Sequence, residues 1–161
     1  MIYRQAVGVM EALREAVREG FKAVSDEDFC LLALMPGEVV PFDYCDRCDN
    51  GMAWVRLVSI QPSEDQVDQR FESRCYASLS ATVEVGHIFA APWPDADGDL
   101  PEEHEQTDAT LRQIECADVM LTALLCTELP DDVAASRPTY TPIGPEGGCV
   151  GGAWTATIGL I

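Results

Sequence analysis

Cys75-Tyr76-Ala77-Ser78-Leu79-Ser80-Ala81-Thr82-Val83-Glu84-Val85-Gly86-His87-Ile88-Phe89-Ala90 is the stretch that decides the fold. Ala77, Leu79, Ala81, Val83, Val85, His87 and Phe89 fall on one side of a period of two. Ser78, Ser80, Thr82, Glu84 and Gly86 fall on the other. That alternation predicts a long strand with one buried face. The polar face, rich in small Ser and Thr side chains, suits packing against a neighbour.

The segments around it supply a sheet and two helices. Over residues 2–20, Ala6, Met10, Leu13, Val17 and Phe21 recur at helical spacing, while Glu11, Arg14, Glu15, Arg18 and Glu19 take the other side. Gly20 reads as the stop. Residues 29–35 form a short apolar run closed by Pro36-Gly37, and Met52 to Ile60 carries strand propensity. Residues 61–74 read as a long polar connection. A second helix is expected from about Pro101 to Glu128, with Pro101 in its first turn and Glu102, Glu103 and Glu105 at the positive end of its dipole. Leu111, Ile114, Ala117, Leu121, Leu124 and Leu125 form its apolar stripe. The chain closes on a turn-rich, glycine-punctuated approach and a strand in which Trp154, Ala156, Ile158 and Leu160 alternate with Thr155, Thr157 and Gly159. The expectation is one α/β (α+β) domain over residues 1–161: a mixed β-sheet with two main helices packed on one face.

Composition narrows the function classes. With 47% hydrophobic and 24% charged residues, the 161-residue chain has the make-up of a folded domain. No apolar run approaches the ~20 residues of a membrane helix, and the charged N-terminal pattern is unlike a signal peptide, so a soluble protein made in the cytosol is expected. The net charge is −18. Residues 75–161 hold only Arg112 and Arg137 against 14 acidic side chains. Such a surface repels phosphate backbones, which argues against specific nucleic-acid binding.

Chemical motifs are weak. Cys45-x-x-Cys48 is half of a zinc site with no second pair to complete it. A redox pair or disulfide is an alternative, and plain free thiols are the preferred reading for the cysteines of a chain without a secretory signal. His104-Glu105-Gln106-Thr107-Asp108 approaches H-E-x-x-H but has Asp108 where the second histidine belongs, so it reads as charged first-turn residues. His87 sits in an apolar strand face. No catalytic, cofactor or metal site is assigned. Trp54 and Trp154 read as core. Trp93, between Pro92 and Pro94, reads as an anchor on a partner surface.

Three stretches carry a family resemblance: Tyr140-Thr141-Pro142-Ile143-Gly144-Pro145-Glu146-Gly147-Gly148-Cys149-Val150-Gly151-Gly152-Ala153-Trp154; Phe29-Cys30-Leu31-Leu32-Ala33-Leu34-Met35-Pro36-Gly37-Glu38 through Trp54-Val55-Arg56-Leu57; and Ala81-Thr82-Val83-Glu84-Val85-Gly86 running into Ala91-Pro92. Together they resemble the tail terminator proteins of long-tailed actinobacteriophages, the mycobacteriophage type. The resemblance implies a non-enzymatic virion protein, assembled in the host cytoplasm and located at the tail–head junction. It would form a homohexameric ring on the last layer of the tail tube protein and present a surface to the head-to-tail connector or stopper protein. DNA would pass through without specific binding, and no membrane would be involved. The acidic loop Glu64, Asp65, Asp68 and Glu72 is the candidate for the channel lining. Another neck component, a head-to-tail stopper or connector, is the alternative; a small cysteine-using enzyme or zinc-binding module is the non-structural one.

Overall fold

The computed structural model describes residues 2–25, 28–37, 40, 45, 49–62, 79–94, 97–129, 136–146 and 148–160. In chain order the elements are α1 (Ile2–Val24), β1 (Leu31–Met35), β2 (Met52–Pro62), β3 (Leu79–Ala90), α2 (Glu103–Cys126), β4 (Thr139–Glu146) and β5 (Cys149–Leu160). The strands make one mixed sheet in the order β1-β2-β3-β5-β4. β1 runs parallel to β2, and every other pairing is antiparallel.

The alternating strand β3 lies at the centre. It pairs with β5 without a register shift, from Leu79 opposite Leu160 to Ala90 opposite Cys149. Its odd-numbered side chains point to the helices. Val9, Leu13 and Val17 of α1 and Met120, Ala123 and Leu124 of α2 close on Ala53, Val55, Val83, Val85, Ala156 and Ile158. Both helices cover this one face, so the expected mixed α+β sheet is the observed one. Each valine, leucine, isoleucine or methionine among them contributes on the order of 1.5–3 kcal/mol by leaving water.

Three local expectations are corrected. First, α1 does not stop at Gly20 but continues to Val24. A Cβ at Gly20 would meet Val119 Cγ1 at 3.0 Å, so this glycine serves the close approach of α2 rather than a helix end. Secondly, α2 begins after Pro101, with Glu102 at its N-cap and Glu103 and Glu105 in its first turn. The side chains it buries are Cys116, Ala117, Val119, Met120, Ala123 and Leu124. Leu111, Ile114 and Leu125 point away from the sheet. Thirdly, strand structure at the C-terminus starts well before Trp154. β4 and β5 form an antiparallel pair around Gly148, whose φ of 78° suits a turn. Gly151 and Gly152 lie inside β5. A side chain at Gly151 would strike the His87 carbonyl, and one at Gly152 would strike the Tyr140 ring.

On the opposite face of the sheet, Val40 and Cys45 from the connection between β1 and β2 cover one end. Parallel neighbours require a long crossover, here residues 36–51. Its buried Val40 and Cys45 pack with Met52, Trp54, Ile88, Cys149 and Ala153.

Candidate functional site

The four residues expected to line a channel, Glu64, Asp65, Asp68 and Glu72, lie outside the described residues. Trp93 is described, and its setting can be built from the chain outward. Ala91 leaves β3 with its N–H donated to the Gly148 carbonyl at 2.7 Å. The Pro92-Trp93-Pro94 segment that follows cannot extend a ladder, because two of its three residues lack an N–H. It lies across the start of α2, leaving Trp93 60% exposed. The helix start is held by the Glu102 N–H, which donates to the Glu105 carboxylate at 2.9 Å. His104 Nδ1 stands 3.1 Å from the Glu102 carboxylate, so the motif that approaches H-E-x-x-H is a solvated first turn. Between the tryptophan segment, Leu100, the first turns of α2 and the β4–β5 pair is a hollow of about 360 Å³. Leu100, on its wall, is 80% exposed.

A second uncovered area runs along the outside of α2. Leu111, Ile114 and Leu125 are 60%, 61% and 59% exposed. They recur with half-buried Leu121 at spacings that share a helix side. The sequence shows one apolar population on α2 where the structure has two, because Cys116, Met120, Ala123 and Leu124 make the inner contact and leave Leu111, Ile114 and Leu125 outside.

The interior holds two polar arrangements that the sequence did not reveal. On the sheet face away from the helices, Arg56 donates from Nε and Nη2 to the two Glu84 carboxylate oxygens at 2.6 and 2.9 Å. Trp54 Nε1 donates to the same carboxylate at 2.8 Å. On the helix side, His87 is buried with neither ring nitrogen hydrogen-bonded. Burial, reinforced by the positive Arg112, lowers its pKa to about 3. Arg112 itself lies over the Phe89 ring at 4.7 Å and donates to Asn50 Oδ1 at 2.8 Å. Burial pushes the nearby Cys116 thiol up to about 11, against the pull of Arg112. Cys116 is therefore a neutral thiol and His87 a neutral imidazole at ordinary pH. Neither Trp93 nor the outer stripe of α2 belongs to this cluster. Trp54 is buried, as expected, and Trp154 is half-buried with Nε1 donating to the Ala117 carbonyl at 2.7 Å.

The reading of the cysteines as free thiols is overturned for Cys30, Cys45 and Cys149. Cys45 is joined to Cys149, with Cα atoms 5.9 Å apart and 104 residues between them in sequence. Cys30 is also disulfide-bonded. Cys116 and Cys126 are free; Cys48 and Cys75 lie outside the described residues. The pairing escaped the sequence because the partner of Cys45 lies on β5, 104 residues away. Among the described residues, no group of three or more His, Cys, Asp or Glu could hold a metal ion, and no helix is long and apolar enough to cross a membrane.

No protein-family model matches this chain, and no curated protein matches it in sequence. The functional reading therefore rests on the motifs and on the surfaces just described.

Proposed function

We propose that the chain is a phage tail terminator, a structural neck protein that closes the tail tube as a homohexameric ring and offers its other side to the head-to-tail connector or stopper. The observation that carries the reading is the uncovered apolar side of α2. Leu111, Ile114 and Leu125 stand in water on a chain of net charge −18. Exposed apolar groups in a row mark surfaces that meet other proteins. Heterologous contacts of this kind close into a ring when the rotation between neighbours divides the circle. The three stretches that resemble tail terminators support the same reading.

In this reading the acidic surplus lets DNA move through the ring without being held, because tight retention of phosphates needs Lys and Arg. The loop with Glu64, Asp65, Asp68 and Glu72 is the proposed lining. The protein performs assembly rather than catalysis, and its place is the virion neck.

The test is imaging of the particle neck with the wild-type chain and with Leu111→Glu/Ile114→Glu. A sixfold ring on the tube end in the wild type, and loss of that ring with a retained circular dichroism spectrum in the variant, is the expected result. A five- or twelvefold arrangement sinks the assignment. A ring seated on the head side alone favours the stopper or connector instead.

A further inference from the structure

We infer that the hollow beside Trp93 is a docking site for a basic segment of another protein, one that carries an apolar side chain between Lys or Arg residues. This deepens the neck reading by giving the chemistry of a partner. It is tested on the isolated chain, so the two can fail separately.

The shape and the chemistry of the wall support it together. The hollow of about 360 Å³ accommodates a large side chain or a short turn of peptide. Trp93 and Leu100, at 60% and 80% exposed, present apolar area that the fold leaves uncovered. Pro92, Pro94, Pro101 and Pro145 are part of the lining. Proline has no N–H to strand when a partner covers it, and its ring is already fixed. The wall is therefore inexpensive to desolvate and loses little freedom on binding, the property that favours an anchor site.

Charge selects among occupants. Residues 91–111 contain no Lys or Arg, and Glu102 and Glu103, which follow Leu100 and Pro101 of the wall in sequence, are exposed. A nucleic acid would bring phosphates to the same place and is repelled. A segment with an apolar anchor and flanking cations satisfies the wall and its rim at once. Complementary charge also raises the encounter rate and makes it salt-dependent.

The experiment is selection of a random-sequence short-peptide library on the purified chain, with Trp93→Ala and Leu100→Ser as parallel baits whose melting curves show that they remain folded. The enriched peptides should carry Leu, Ile, Met or an aromatic residue flanked by Lys or Arg. Their affinity should fall at least about tenfold on either variant and should weaken with added salt. Labelled-amide spectra should place their contacts at residues 91–94, 100–113 and 145–150. Four results overturn the inference: no enrichment over the Trp93→Ala bait; enriched peptides that are basic without an apolar residue, which would mean bulk charge attraction only; enriched peptides without basic residues; or concentration-dependent shifts at residues 91–101 without peptide, which would assign the hollow to a second copy.

Discussion

The indole of Trp54 on β2 covers Gly86, its directly opposed partner on β3, so closely that a Cβ at Gly86 would stand 2.3 Å from Trp54 Cζ2. The ring takes the volume a side chain would need, and its N–H goes on to Glu84. Gly86→Ala should therefore displace Trp54 and destabilise the fold by about 1–3 kcal/mol. Gly8, within α1 and with nothing within 4 Å of a Cβ, is the contrast: Gly8→Ala should stabilise by about 0.5–1 kcal/mol through helix propensity. Urea melts of the two variants should shift in opposite directions; a shift of Gly86→Ala toward higher stability would show that the ring is not seated as described.

Glu84 holds three donors of Arg56 and Trp54 in a partly shielded site. Glu84→Ala leaves both partners without that acceptor and should cost about 2–3 kcal/mol. Glu84→Gln keeps an acceptor for the indole and should cost less. Equal losses for the two variants in denaturant melts would mean that the bond to Trp54 contributes nothing.

The bond between Cys45 and Cys149 closes a span of 104 residues. In the chain-entropy account such closure stabilises by about 4–5 kcal/mol, and measured values often fall below it. Cys149→Ser, melted without reductant, should lose roughly 3–4 kcal/mol. Coincident melts of variant and wild type would mean that the bond does not form in solution.

His87 gives stability a pH dependence of known sign. Its folded pKa, about 3, is below the ordinary 6.5, so between those values the unfolded chain takes up a proton that the folded chain refuses. Its contribution is present above pH 6.5 and is lost as the pH falls toward 3, with a slope of at most about 1.4 kcal/mol per pH unit. His87→Leu should flatten the dependence between pH 7 and 5 and should raise stability more at pH 5 than at pH 7. Parallel wild-type and variant stabilities across that range would contradict the buried neutral imidazole.

Much of the architecture was legible. The alternation through Val83 and Val85 marked the central strand, and the spacing of Leu13, Val17 and Phe21 marked the buried side of α1. What escaped was everything that depends on a partner remote in sequence. The glycines between 147 and 152 suited close backbone approach, but what approaches Gly151 and Gly152, the His87 carbonyl and the Tyr140 ring, comes from other strands and could not be named. Gly20 looked like a stop because Val119 was not in view. The outer leucines of α2 looked like core because hydrophobicity alone does not say which of two apolar sides meets the sheet. Trp93 drew notice through its flanking prolines, whereas the hollow beside it needed Leu100, Pro145 and Val150 to be brought together by the fold.

One edge of the sheet is β4, and two of its eight residues, Pro142 and Pro145, have no N–H to offer. The other edge, β1, is five residues long. A neighbouring strand seeking to prolong the ladder finds a broken row on one side and a short one on the other. Copies of this chain are thereby steered toward contacts made by side chains, whose number is finite, and away from the open-ended backbone pairing that builds fibres. In the neck reading, a molecule that ends a polymer has a sheet poorly suited to starting one.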